Sequence, residues 1–441
     1  MKKERLKHLK KQLVSLVRND GERVFFLNTG KNIWENLSDC MAIMKIKKIM
    51  AGAQEELSVA EAKEVLREIA SSPEFYDPLQ EPVPNLINCK NGTYDIANGM
   101  VRKATVGGDF RLQLDFTFDD KAAASKCPQF IKFLRFAYDL SRDQDIDEIL
   151  KMPSVKRLME MMGYMVSNEW RAKKMLVIIG PANSGKSQIL ELIRRVVGYE
   201  NATSLNLEDL SGHGGGRFRT DLLRNAHVNI NDELPTRGLR HLSEYKKLIS
   251  GEGLTVEAKG KKPVTIKNRT KLVFAGNQLP ELAEADCGNA FADRLLITAF
   301  RKSIDSRNRD VALVDKLYAE RDIIFSLAVQ LFSLVVQNSF TFSNDEDSEK
   351  MLKAYIENNS TITTFITDST VVTNGDGIHT TRLFHRYIEY CEENALKPLK
   401  SLTAFRQQLA NMPNISFSKR RLEGDENPRS VVDGVELVGT T

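Results

Sequence analysis

Eight consecutive residues, Gly180-Pro181-Ala182-Asn183-Ser184-Gly185-Lys186-Ser187, read GxxxxGKS. That spacing answers to phosphate chemistry. Glycines let backbone N–H groups curl around an anion, a lysine neutralises β- and γ-phosphate charge, and a hydroxyl at a helix N-terminus can ligate magnesium where the helix dipole already favours negative charge. Gly180 to Ser187 are therefore candidate nucleotide-binding residues, ATP and Mg2+ the expected cofactors, and Ser187 a candidate metal ligand. Downstream, AHVNI ends in Asn231-Asp232-Glu233. A nucleotide-hydrolysing site needs one carboxylate in the magnesium shell, here Asp232, and one to polarise water, here Glu233. TKLVFAG runs into Asn277-Gln278-Leu279-Pro280, where a strand-end Asn277 can hydrogen-bond the attacking water or the γ-phosphate; alone, it reads as a plain turn. Between these motifs, LTVEAK and VTIKN alternate like paired strands around Gly260-Lys261-Lys262-Pro263. Lys259, Lys261 and Lys262 on such a tip suit a phosphate backbone, which needs charge but no base-edge geometry; a solvated turn is the alternative.

The elements that position these residues follow from periodicity. KKMLVII, residues 173–179, predicts a strand feeding the glycine loop, and QILELIRRVVG the helix after it. Strands are predicted over 226–230 and 270–276, and Asn229 and Asn231 suggest that the first of them lines a cavity. Together these specify an α/β P-loop core over 151–305, its AAA+ type being what the resemblance given below implies. Residues 1–75 read as helical, with Leu6, Leu9, Leu13 and Leu16 at helical spacing and a basic polar side. Residues 76–150 predict a small α+β module, punctuated by Pro78, Pro82 and Pro84, with a turn at Asn91-Gly92. A helical lid is expected over 306–345. Over 346–441, two amphipathic helices, TRLFHRYIEYCEE and LTAFRQQLA, precede ISFSKRR and VVDGVELV, a winged-helix-like order. Arg406, Lys419, Arg420 and Arg421 would face phosphate there, and a bare helical packing module fits the same pattern.

Composition sets the limits. A chain of 441 residues is too long for one core, since single cores stop growing near ~250 to 300 residues. Its 41% hydrophobic share excludes a disordered chain, and its net charge of +4 leaves nucleic-acid affinity to local patches. Five cysteines without CxxC spacing argue against a zinc ribbon or a disulfide framework, and the six histidines show no metal-ligand spacing. The longest near-apolar run, 323–336, is interrupted by Ser326, Gln330 and Ser333 and falls short of a membrane helix. With no signal-peptide pattern at the N-terminus, the expected location is cytoplasmic, with no membrane partner.

The set GPANSGKS, NINDE, the lysine hairpin and FAGNQLP resembles a superfamily 3 helicase domain, and most closely the phage and plasmid primase-helicase family related to the poxvirus nucleoside triphosphatase. The likeness runs from about residue 80 to the end, without the family's primase domain. It implies that Lys186 and Ser187 hold phosphate and magnesium, that Asp232 and Glu233 coordinate magnesium and activate water, and that Asn277 senses the γ-phosphate. It also implies that Lys259, Lys261 and Lys262 grip single-stranded DNA. In AFADRLLITAF, Arg294 becomes the candidate arginine finger, with Arg301, Arg217 and Arg219 next. The implied activity is ATP-driven unwinding by a homo-oligomeric, hexameric ring acting on single-stranded and forked DNA, with a separate primase or polymerase as partner. An origin-remodelling initiator or loader, or a nucleotide-regulated DNA-binding scaffold, would carry the same motifs.

Overall fold

Leu6, Leu9 and Leu13 recur at three- and four-residue steps, so they share one side of the helix Lys3–Leu13 and pack against Ala42, Ile46 and Met50 of the helix Asp39–Gly52 and Ala62, Val65 and Ile69 of the helix Val59–Ser71. The computed structural model describes residues 3–438 apart from 79–82, 99, 103–109, 212–218, 236–238, 240, 258–262, 281, 283–290, 359, 374, 376, 395, 397, 400, 411 and 413. Within the first 75 residues it corrects the all-helical expectation. Between the first two helices lie β1 (Val17–Asn19), β2 (Val24–Asn28) and β3 (Ile33–Asn36), an antiparallel sheet. The stretch VFFLN is aromatic and β-branched without helical spacing, and Gly21, at φ +89°, makes the β1–β2 turn.

β4 (Leu86–Cys89), β5 (Gly92–Asp95) and β6 (Met100–Arg102) form an antiparallel meander. Cys89 pairs with Gly92, so the tip is Lys90-Asn91, one residue earlier than expected, and Gly92 opens the next strand. The Asn91 side chain explains the shift: its amide donates to the Phe118 carbonyl at 2.8 Å and its oxygen accepts from the Phe118 N–H at 3.0 Å, tying the tip to the following segment.

β7 (Met175–Ile179) is buried along its whole length, as happens only in a sheet covered on both faces. With β8 (Ala202–Thr203), β9 (Val228–Asn231), β12 (Lys271–Gly276) and β13 (Leu295–Ala299) it forms a five-stranded parallel sheet in the order β13-β7-β12-β9-β8, the intervening β10 (Gly253–Val256) and β11 (Val264–Lys267) making a separate antiparallel hairpin. Alternation divides the strands' side chains. Leu176, Ile178, Val273, Ala275 and Leu296 join one core with the helices Pro153–Val166, Lys186–Val197 and Arg321–Gln337. Val177, Ile179, Leu272, Phe274 and Ile297 join another with Leu242, Tyr245 and Leu248 of the helix Leu242–Ser250. The helix Arg321–Gln337, expected in a lid, sends Ile324, Phe325, Ala328, Val329 and Phe332 into the first core. Asn229 does not line a cavity. It is fully buried, accepting from the Leu205 N–H at 2.8 Å and donating to the Leu205 carbonyl at 2.9 Å, so it fastens the segment after β8 to the sheet.

Beyond residue 345 come the helices Glu346–Asn358, Thr361–Ser369, Thr380–Glu393 and Leu402–Leu409. β14 (Thr370–Val372) pairs with β18 (Val435–Leu437), and β15 (Ile378–His379), β17 (Arg429–Asp433) and β16 (Ser416–Arg420) form a three-stranded sheet. Phe365, Leu383, Tyr387, Phe405 and Val432 build their shared core. No described helix is long and apolar enough to cross a membrane.

Gly163 lets the helices Pro153–Val166 and Arg321–Gln337 meet: a Cβ there would strike the Ala328 carbonyl oxygen and lie 2.7 Å from Phe332 Cβ. Neither obstacle is a flexible tip, so Gly163→Ala should lower unfolding free energy by about 1–3 kcal/mol, read from denaturant midpoints, although alanine favours a helix.

Candidate active site

β7 ends at Ile179, and the glycine loop begins where two neighbours hold its entrance. The Gly180 N–H donates to the Gly276 carbonyl at 3.2 Å, and the Phe300 N–H donates to the Ile179 carbonyl at 2.7 Å. Gly185 closes the loop at φ +94° as the cap of the helix Lys186–Val197, and a Cβ there would lie 2.5 Å from the Phe133 ring. Both the backbone angle and the aromatic neighbour thus require glycine.

Lys186 turns back into this loop. Its Nζ donates to the Gly180 carbonyl at 2.7 Å, to the Pro181 carbonyl at 2.8 Å and to Asn277 Oδ1 at 3.2 Å. Burial lowers its pKa, because the ammonium has left water for a site of dipoles, with no carboxylate ion-paired to it among the described residues. Two residues that the sequence singled out separately are thus in contact, because β12 lies beside β7 and both end at one edge. Asp232 and Glu233 follow β9 at the same edge, one strand further over: Asn231 is level with Phe274, which is level with Val177. Both are exposed, and the Glu233 N–H donates to Asn231 Oδ1 at 2.9 Å. Neither carboxylate is ion-paired with Lys186 in this arrangement.

Ser184, Gly185, Lys186 and Ser187 line a cavity of about 620 Å³, large enough for a nucleotide. Its other walls are Lys132, Phe133 and Phe136 from the helix Pro128–Ala137, and Ile304 and Arg309 from the segment after β13. That segment braces the loop from outside. Ser303 Oγ donates to the Ala182 carbonyl at 2.7 Å, the Ile304 N–H donates to the Asn183 carbonyl at 3.2 Å, and Arg309 bonds the Asn183 side chain. Sequence reasoning missed these walls. The aromatic side of CPQFIKFLRFA was a usable signal, since helical spacing puts Phe133 and Phe136 on adjoining turns, but no local feature paired it with a loop 50 residues away. Ser187 stands exposed on the first turn of the helix, so its hydroxyl fits a magnesium ligand, and Asp232 supplies a hard oxygen donor at the same edge of the sheet.

Arg294 lies at the other end of the strands. Leu295 pairs with Met175 at the start of β7, leaving on the order of 13 Å of strand between Arg294 and the loop. Its Nε donates to Ser250 Oγ at 3.0 Å. Of the other arginines, Arg301 is ion-paired with Asp347, Arg219 with Asp209 at 2.9 Å, and Arg217 lies outside the described residues. Lys259, Lys261 and Lys262 also lie outside them, between the hairpin strands β10 and β11.

Residues 3–138 match a family model described as D5 N terminal like, and residues 357–434 one described as Poxvirus D5 protein-like. Between them, residues 178–291 match a family of unknown function (DUF5906). Among solved structures, the A form apo structure of NrS-1 C terminal region-CTR superposes with a TM-score of 0.49 at 13% identity, over 97% of this chain and 99% of that one. An apo structure of the NrS-1 C terminal region (305-718) gives 0.46 at 13% identity, over 98% and 100%.

Gly185→Ala should cost about 1–2 kcal/mol from the left-handed backbone alone and, by displacing the Phe133 ring, should abolish binding of a fluorescent ATP analogue. Adding Phe133→Ala removes the ring contact but not the backbone strain, so the double variant should still bind the analogue poorly.

Proposed function

We propose that the chain, a D5-like member of the primase-helicase family, hydrolyses ATP to translocate along and unwind DNA during replication of a phage, plasmid or integrated mobile element. The observation that carries this reading is the contact of Lys186 with Asn277 at the sheet edge that also bears Asp232 and Glu233. The strand order β13-β7-β12-β9-β8, all parallel, supports an AAA+ core, for it sets the glycine loop, the polar strand end and the acid pair on consecutive strands.

Polyphosphate enters the cavity above Gly185 and competes with the Gly180 and Pro181 carbonyls for the Lys186 ammonium. The charge gained there reverses the penalty that burial imposes on Lys186. Ser187 and Asp232 would hold Mg2+, which supplies neutralisation of β- and γ-phosphate charge when bound. Glu233 accepts a proton from the attacking water, and Asn277 orients that water or the γ-phosphate. Phe133 and Phe136 offer the base an apolar wall. Arg294 cannot reach its own loop from the far end of β13, so in a ring, six subunits in this reading, it would serve a neighbour's γ-phosphate. Lys259, Lys261 and Lys262, outside the described residues, would contact single-stranded DNA, and the last 96 residues act as a winged helix, for which three helices beside the β15-β17-β16 sheet are the support.

Lys186→Ala should abolish phosphate release, whereas Glu233→Gln should bind ATP normally and hydrolyse it at least 100-fold more slowly, since an acid–base group contributes ~10² to 10⁴ in rate. Normal hydrolysis by Glu233→Gln removes the assignment. Arg294→Ala should assemble and bind ATP but turn it over on the order of 10³-fold more slowly. Mixed with Lys186→Ala protein it should regain activity at interfaces that join an intact loop to an intact arginine; a mixture that exchanges subunits yet stays inactive rules out the role in trans. Fork unwinding, followed with 5′- and 3′-tailed substrates, separates a helicase from a loader.

A further inference from the structure

At the edge of the core sheet opposite the glycine loop, where β9 and β12 begin, a second cavity of about 340 Å³ opens between the N-terminal sheet and the core. Arg23, Arg111, Arg224, Lys267, Arg269 and Lys271 contribute to its wall, which includes no aspartate or glutamate among the described residues. Two of these cations pair with carboxylates of the β1–β2 turn: Asp20 with Arg23 at 2.8 Å and Glu22 with Arg224 at 2.9 Å. The charged side chains among the described wall residues are thus all positive in a partly enclosed space, an arrangement that attracts an anion. Aromatic rings fix part of it. The Arg269 guanidinium lies 3.5 Å above the Trp170 ring, and Phe110 lies in the same wall. Burial lowers the pKa of Lys271 to about 7, partly opposed by the charge of Glu169, while its ammonium donates to the Ser167 carbonyl.

The wall's chemistry narrows the anion. A nucleoside triphosphate arrives with magnesium and is best held where a carboxylate can join the metal's shell, and this wall supplies none. Lys267, by contrast, is the last residue of β11, so the cavity lies at the end of the β10–β11 hairpin, whose strands flank Lys259, Lys261 and Lys262 in sequence. Exposed cations reachable from solvent, with no base-edge geometry, are what a strand's backbone requires.

We propose that this pocket binds backbone phosphates of a single nucleic-acid strand, extending the strand's path from the hairpin onto the N-terminal sheet. The proposal rests on the DNA-handling reading above. Arg111 and Lys267 are exposed, so charge reversal there tests it with little risk to the core. For Arg111→Glu/Lys267→Glu, with an unchanged melting midpoint as the control, affinity for a fluorescent oligo-dT should fall at least tenfold. The slope of log affinity against log salt should flatten by about 0.7 per lost contact, roughly 1.4 in all. The charge-conserving pair Arg111→Lys/Lys267→Arg should bind as the unmodified chain does. An unchanged slope in the reversal variant, while Lys259→Ala/Lys261→Ala/Lys262→Ala does flatten it, overturns the pocket and leaves the DNA reading standing. If the unmodified chain binds no strand, both fall. If the reversal variant loses binding of inorganic pyrophosphate but keeps the strand, the pocket is a free-phosphate site and the strand assignment is overturned.

Discussion

The ammonium of Lys186 needs its own charge satisfied inside a loop that excludes much of the water, and it finds two backbone carbonyls, the side-chain oxygen of Asn277 and, at 3.5 Å, Ser184 Oγ. The carbonyls require the loop to curl back over the helix it caps, which requires Gly185 at a positive φ against Phe133. The side-chain oxygen requires Asn277 to leave β12 beside the end of β7, which the parallel pairing of those strands provides. Parallel strands in turn need helices on both faces and crossovers between them, so the two cores and most of the middle of the chain follow from this one geometry.

The two ends of the sheet are chemically distinct. At the C-terminal ends of the strands stand the glycine loop, Asn277 and the acid pair, a setting for anions with metal. At the N-terminal ends stand Arg294 and the cavity lined by arginines and lysines. The N-terminal sheet is joined to that second end through Arg23, which donates to Asn225 Oδ1 at 2.6 Å, and through the Glu22–Arg224 pair.

Local patterns were legible where one side chain type serves one backbone need. The apolar run before Gly180, the Gly185-Lys186-Ser187 step and the apolar TKLVFAG strand each read as they fold. The legibility failed where a distant partner decides the outcome. Asn91 moved its turn because of Phe118, Asn229 proved to be an internal fastener because of Leu205, and Phe133 meets Gly185 across a long stretch of chain. The N-terminal sheet was hidden by its short strands, three to five residues each, between helices whose leucine spacing dominates the window.

We propose that the polar edge of this sheet turns over ATP in response to DNA. Phosphate release by the unmodified chain with ATP and Mg2+, followed as single-stranded DNA is titrated in, should be slow without DNA, rise severalfold and saturate as the strand is bound. Release that is absent under all conditions, or that is indifferent to a strand shown to be bound, would contradict it.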